Sequence, residues 1–245
     1  MSQPITVWLT TSDPDSWKVI TILEELTVPY KIKPLSLNEV KQAPFTIINP
    51  TGSVPAIHDP NTNLTLWQSN SIIQYLITTY DTHHLLTYDT LPETHLLNQY
   101  LHFQGSTQGP NFENCGLFSI HHPTHLPSAI AHYTAEVHRT LGALNTILEK
   151  RDWLVGEKCT YVDLAFLPWN AQVKTLVPDT AEEAKSYPWV ERWQERMEGR
   201  EAWRRVLKIY TDLLGNDVEK DGPYQSAVTP LRPLKSGTKR SHTIL

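Results

Sequence analysis

The sequence predicts an α/β domain of βαβ then ββα order, followed by an all-α domain. Three observations carry that prediction. Short β-branched runs alternate with amphipathic segments through residue 80, strand signals stop beyond it, and apolar residues then recur at helical spacing.

Ile5 to Thr10 is β-branched and opens the fold as a strand. From Ser16, the segment SWKVITILEEL places Val19, Ile22, Leu23 and Leu26 on one helical face, with Ser16 as the expected N-cap. A strand near Tyr30 to Leu35 follows, and a right-handed crossover through the helix sets it parallel to the first. VPAI, the turn residues DPNTN and then LTLW read as a hairpin. Ser69 opens a helix in which Ile72, Ile73, Leu76, Ile77 and Tyr80 recur at helical spacing.

In the second half, Gly109-Pro110 is expected to interrupt a helix. Ile130, Val137, Leu141, Leu144 and Leu148 mark a long amphipathic helix that ends around Arg151 to Gly156. Thr160 and Asp163 stand at capping-box spacing, so a helix begins near Tyr161. Pro188 fits the first turn of another, and a last helix runs from Glu201 to Leu214. Residues 1–82 thus form the first domain, 83–92 a linker and 93–215 the second domain. Residues 216–245, rich in Pro, Lys, Ser and Gly without a sustained period, form an extension to which no activity is assigned.

Composition narrows the function classes. The 245 residues include 40% hydrophobic and 19% charged residues, the balance of a soluble globular chain. A formal net charge of -5 disfavours nucleic acid as a partner. No apolar run is long enough to span a membrane, and MSQPITVW lacks the basic and apolar segments of a signal peptide. Cys115 and Cys159 stand far apart without a CxxC, the pattern of reduced thiols, which points to the cytoplasm. His121-His122-Pro123-Thr124-His125 invites a metal reading, but Pro123 spoils an i,i+4 pair and no nearby glutamate completes a hydrolase motif. No metal is expected.

The stretch NPTGSVPAIHDPNTNLTLWQSNS at residues 49–71 holds Val54-Pro55 before a strand and Gln68-Ser69 where a helix begins. Together with LVGEKCTYVDLAFLPW and YPWVERWQERM further on, it resembles the glutathione transferase family over about Ile5 to Leu214. The likeness is greatest to fungal members related to the yeast nitrogen-regulator prion protein, on LWQS, Phe103-Gln104 and DLAFLPW; some such members serve secondary-metabolite gene clusters. The resemblance implies a thioredoxin-like N-terminal domain plus an all-α C-terminal domain, glutathione as co-substrate, and a homodimer. It implies a cis Pro55 that turns the Val54 backbone toward the cysteinyl backbone of glutathione. Ser69 and Gln68 would hold the γ-glutamyl group at a helix N-terminus, and Lys41 would meet the glycine carboxylate.

The loop that would activate the thiol departs from the family pattern. A free thiol titrates at about 8.5, and a hydrogen-bond donor at the end of the first strand normally lowers that value. Fungal relatives show Pro-Asn-Gly-x-Lys there, whereas this chain has Pro14-Asp15-Ser16-Trp17-Lys18. An ionised Asp15 near the sulfur would oppose a thiolate, so the hydroxyl of Ser12 or Ser16, with backbone N–H groups, is the expected donor. Neither cysteine lies in this loop, which disfavours a mixed-disulfide mechanism. By family position, Phe103, Gln104, Asn111, Phe112 and Trp169 would line the pocket for a small apolar electrophile between the domains. Conjugation, glutathione-dependent cis–trans isomerisation of a conjugated double bond, and a non-catalytic regulatory or interaction module all remain open.

Overall fold

The computed structural model describes residues 2–177 and 186–217. Strand β1 (Ile5–Leu9) buries Ile5, Val7 and Leu9 completely and lies inside a four-stranded mixed sheet of order β2-β1-β3-β4. Helix α1 (Pro14–Glu25) makes the crossover to β2 (Tyr30–Pro34), which pairs parallel to β1 with Ile5 opposite Tyr30 and Leu9 opposite Pro34. A short 3-10 turn (Glu39–Lys41) and helix α2 (Phe45–Ile48), neither visible as a period in the sequence, fill the approach to β3 (Ala56–Asp59). Strand β4 (Leu64–Trp67) returns antiparallel to β3, and α3 (Ser69–Tyr80) closes the unit with Ile72, Ile73 and Leu76 fully buried.

The start of α1 differs from expectation. Its N-cap is Asp13, whose carboxylate accepts from the N–H groups of Asp15 and Ser16, and Pro14 takes the first helical position. Aspartate caps as well as serine, and the fixed φ of proline suits the first turn, so the helix begins two residues ahead of Ser16. Ser16 instead lies fully buried inside the helix. Buried residues occur on every side of α1 because it packs against α3 and also against two helices of the second domain, α7 (Tyr161–Asn170) and α10 (Glu201–Asp217).

The second domain opens with α4 (Leu91–Phe103), and here the expected interruption at Gly109-Pro110 is replaced by a widened helix. A π turn over Gln104–Gln108 joins α4 to α5 (Gly109–Gly116), and a second follows at Leu117–His121. The Gly109 N–H reaches back to the Gln104 carbonyl, and this wider turn accommodates the proline ring that a regular turn would bring against the preceding carbonyls. The run continues through α6 (Pro127–Ile147), α7 (Tyr161–Asn170), the short α8 (Val173–Leu176), α9 (Pro188–Glu198) and α10 (Glu201–Asp217). Helix α10 extends three residues past the expected Leu214, and residues 218–245, most of the proposed extension, lie outside the described residues.

The capping box at α7 is present. Asp163 is fully buried and accepts from the Thr160 N–H at 2.8 Å, the Thr160 hydroxyl at 2.7 Å, the Leu154 N–H at 2.9 Å and the Trp193 indole N–H at 2.9 Å. Burial pushes its carboxyl up, and these four donors work against that. One carboxylate thereby ties the start of α7 to the loop before it and to α9.

Candidate functional site

The loop ahead of β3 is held by its first residue. Asn49, buried to 1% exposure, donates to the Ser53 carbonyl at 2.6 Å and accepts from the Thr51 N–H and hydroxyl at 3.1 and 2.8 Å. Gly52 adopts φ +60, and a Cβ there would sit 3.1 Å from the Val40 carbonyl oxygen, so the loop needs glycine at this point. The Val54-Pro55 peptide is cis. The sheet ladder starts at Ala56, opposite Trp8 and Trp67, so Val54 stands just ahead of it with its backbone outside the ladder. Lys41 folds over the same loop and donates to the Gly52 carbonyl at 2.6 Å.

Gln68, at φ 73, precedes α3 without a side-chain cap, and the first helical N–H with a backbone acceptor is that of Ile72. The N–H groups of Ser69, Asn70 and Ser71 are therefore available at the positive end of the α3 dipole. The Ser69 hydroxyl turns to α1 and donates to Asp15 Oδ2 at 3.0 Å.

Asp15 joins the two domains. Its Oδ1 pairs with Lys18 Nζ at 3.0 Å and accepts from the Trp169 indole N–H at 2.7 Å. Lys18, at 1% exposure, also donates to Asn70 Oδ1 at 3.0 Å and Gln104 Oε1 at 2.7 Å, which uses all three ammonium protons. Asn70 completes the bridge by donating to the Leu101 carbonyl at 3.0 Å. Gly105 leaves room for it, since a Cβ there would lie 2.5 Å from Asn70 Nδ2. Burial pushes the Asp15 carboxyl up, but the Lys18 ammonium and the bonds from Trp169, Lys18 and Ser69 outweigh it and hold the group below its ordinary value.

The two serines proposed as thiol donors separate. Ser16 is buried and its hydroxyl donates to Asp13 Oδ2 at 2.5 Å, so it presents nothing to a ligand. Ser12, half-exposed in the loop between β1 and α1, makes no hydrogen bond among the described residues. Burial, then the Asp15 carboxylate, pushes Asp13 up to about 7 against the bonds from Ser16 and Asp15. Two carboxyl groups thus flank the first turn of α1.

The five residues read as pocket lining also divide. Phe112 is fully buried, edge-on to Trp169 with ring centroids 6.4 Å apart, and Gln104 is buried between Lys18 and Gln108. Trp169 is 6% exposed and its N–H is taken by Asp15. These three are packed inward, Gln104 and Phe112 from the run of α4 into α5 and Trp169 from α7. Phe103, against Phe166 at 5.8 Å, and Asn111, donating to Glu136 at 3.4 Å, retain accessible surface. An open groove of about 540 Å³ bounded by Leu23, Tyr30, Ile32, Arg205 and Ile209 lies elsewhere, at the far end of α1.

Residues 14–79 match the family described as glutathione S-transferase, N-terminal domain, and residues 120–201 match glutathione S-transferase, C-terminal domain. The chain is 38% identical over 215 residues to the glutathione S-transferase-like protein gedE of Aspergillus terreus, covering 83% of this chain and 94% of that one. The chain belongs to the glutathione S-transferase family. Glutathione S-transferase 1 of Schizosaccharomyces pombe is 33% identical over 86% of this chain and 98% of its own length. Among solved structures, the glutathione transferase URE2P6 of Phanerochaete chrysosporium in complex with oxidized glutathione superposes with a TM-score of 0.81 at 34% identity, over 86% of this chain and 98% of that one. The fold read from the sequence, a thioredoxin-like domain with a four-stranded mixed sheet and a helical second domain, is that of the family.

Several residues that shape this region were given no role in the sequence. Lys18, Asn70, Gln108 and Asn170 continue the polar seam, with Gln108 donating to Asn170 Oδ1 at 2.8 Å. The available signal was polar residues at helix positions whose neighbours in the pattern are apolar. Glu113 on α5 also faces this region: desolvation, then the Asp15 carboxylate, push its carboxyl up while Lys41 acts in the opposite direction. Among the described residues no three His, Cys, Asp or Glu side chains group as metal ligands, and no helix is long and apolar enough to cross a membrane. In the histidine segment, His122 Nδ1 is engaged locally with the Thr124 backbone.

Proposed function

We propose that this protein binds glutathione and presents its thiolate to an apolar electrophile, a secondary-metabolite intermediate such as an enone or epoxide, giving a conjugate. The observation that carries the reading is the open first turn of α3 together with a Val54 backbone that lies outside the sheet ladder. The γ-glutamyl carboxylate meets the Ser69 and Asn70 N–H groups, the cysteinyl backbone pairs with Val54, and the glycine carboxylate reaches Lys41. Ser12 is the side-chain donor left to face the sulfur. Sulfur then adds to the electrophilic carbon, and solvent protonates the resulting enolate or alkoxide. Proximity and thiolate stabilisation supply the rate.

Calorimetry with glutathione tests the first half; absence of binding at millimolar ligand removes the reading. Mass spectrometry of products tests the second. A mass gain equal to glutathione supports conjugation, and an unchanged mass with a shifted retention time and a glutathione requirement replaces it with double-bond isomerisation. One observation favours a non-catalytic binding module: the ionised Asp15 carboxylate stands in the first turn of α1, where negative charge opposes a thiolate. Glutathione binding without turnover of any electrophile would decide for that module. A homodimer is the assembly proposed, and sedimentation tests it.

A further inference from the structure

We propose that Asp15 receives the α-ammonium of the glutathione γ-glutamyl group through Oδ2, so that the site selects ligands whose amino-acid end carries a free amine. The inference rests on the glutathione reading above. The two Asp15 oxygens are used unequally. Oδ1 is filled from the buried side by Lys18 at 3.0 Å and Trp169 at 2.7 Å, while Oδ2 receives, among the described residues, the Ser69 hydroxyl alone, at 3.0 Å. A carboxylate oxygen accepts two bonds, so Oδ2 keeps one lone pair, and the side chain retains 35% exposure.

Ser69 is in the first turn of α3, where the ligand carboxylate is placed. Binding there brings a second carboxylate beside the one that Ser69 already serves, and two like charges around one hydroxyl repel unless a cation joins them. Lys18 offsets the Asp15 charge from the buried side only, and with its three protons committed to Asp15, Asn70 and Gln104 it makes no contact with the incoming carboxylate. Gln68 is neutral. The γ-glutamyl group carries its own cation on the carbon that bears the carboxylate. An ammonium on Oδ2 turns the repulsion into a pair of complementary contacts, with Ser69 free to donate to either carboxylate. The surroundings already keep Asp15 ionised for this role.

The test compares glutathione with glutaryl-cysteinylglycine, the same tripeptide without the amino group, by calorimetry on the full chain and on D15N. The native chain should bind the deaminated ligand about tenfold or more weaker than glutathione, as expected for a charge-assisted hydrogen bond, and D15N should discriminate by about threefold at most. Failure of the native chain to bind glutathione at all overturns the site reading and this inference with it. Glutathione binding with discrimination below about threefold overturns the inference alone, as does a discrimination unchanged in D15N. A native-only measurement stands independent of D15N folding: NMR titration of bound glutathione should show its ammonium losing its proton at higher pH than in the free ligand. An unshifted titration refutes the contact.

Discussion

Replacing Lys18 with methionine probes the seam that joins the two domains. Methionine keeps most of the aliphatic length and removes the ammonium, so the perturbation is electrostatic more than steric. Lys18 is 1% exposed and donates to three acceptors, and each fares differently when it is lost. Gln104 Oε1, on a fully buried residue, is left without its 2.7 Å donor, a loss of roughly 1–3 kcal/mol. Asn70 Oδ1 is partly accessible and recovers some solvation. Asp15 keeps Trp169 and Ser69 and is 35% exposed, so its unpaired charge costs less than a buried one. Lys18→Met should therefore lower unfolding stability by about 2–4 kcal/mol, measured as a shift of the urea midpoint at constant slope. Adding Gln104→Leu, which removes the stranded acceptor, should recover part of the loss in a double-mutant cycle. A single variant within about 0.5 kcal/mol of the native chain would refute the account of Lys18 as a fully engaged buried cation.

Other measurements test neighbouring parts. Asp13 has a folded-state value near 7, above that of an unfolded aspartate, so its contribution to stability is full at acid pH and is lost as pH rises from about 4 through 7. Asp13→Asn keeps a helix cap without the titration. The native-minus-variant stability should thus decline between pH 5 and pH 7.5, at no more than about 1.4 kcal/mol per pH unit, and a flat difference contradicts the burial of this carboxyl. Lys41→Met should weaken glutathione binding roughly threefold to tenfold, with the loss shrinking as salt rises; calorimetry at two ionic strengths checks both. Asp163→Asn turns one acceptor oxygen toward its donors as an N–H group and should cost about 2–4 kcal/mol in denaturant titration.

The strand and helix order was legible because each element carries its own period, and the capping box at Thr160 and Asp163 because both partners lie within one turn. The start of α1 was misplaced because Asp13 and Ser16 are both good caps, and only the backbone shows which N–H groups meet which side chain. At the site, Val54, Gln68 and Ser69 were singled out through the family resemblance carried by residues 49–71. It did not reveal that Ser69 and Trp169 converge on Asp15, positions 54 and 154 residues apart. Nor did it show that Gln104 and Phe112 turn inward, since their orientation depends on the width of the turn between them.

That width bears on how this wall of the molecule changes through descent. Each π turn holds one residue more than a regular turn, which rotates all that follows by about 100° without breaking the backbone hydrogen bonding. Losing one residue at Gln104–Gln108 closes the wide turn to a regular one, and the two changes cancel, so the side chains beyond it keep their facing. A single-codon deletion there would leave Asn111 and Phe112 facing as they do while α4 kept its place. Chain length can thus change in this stretch without moving the side chains beyond it, with α4 and its hold on Asn70 left intact.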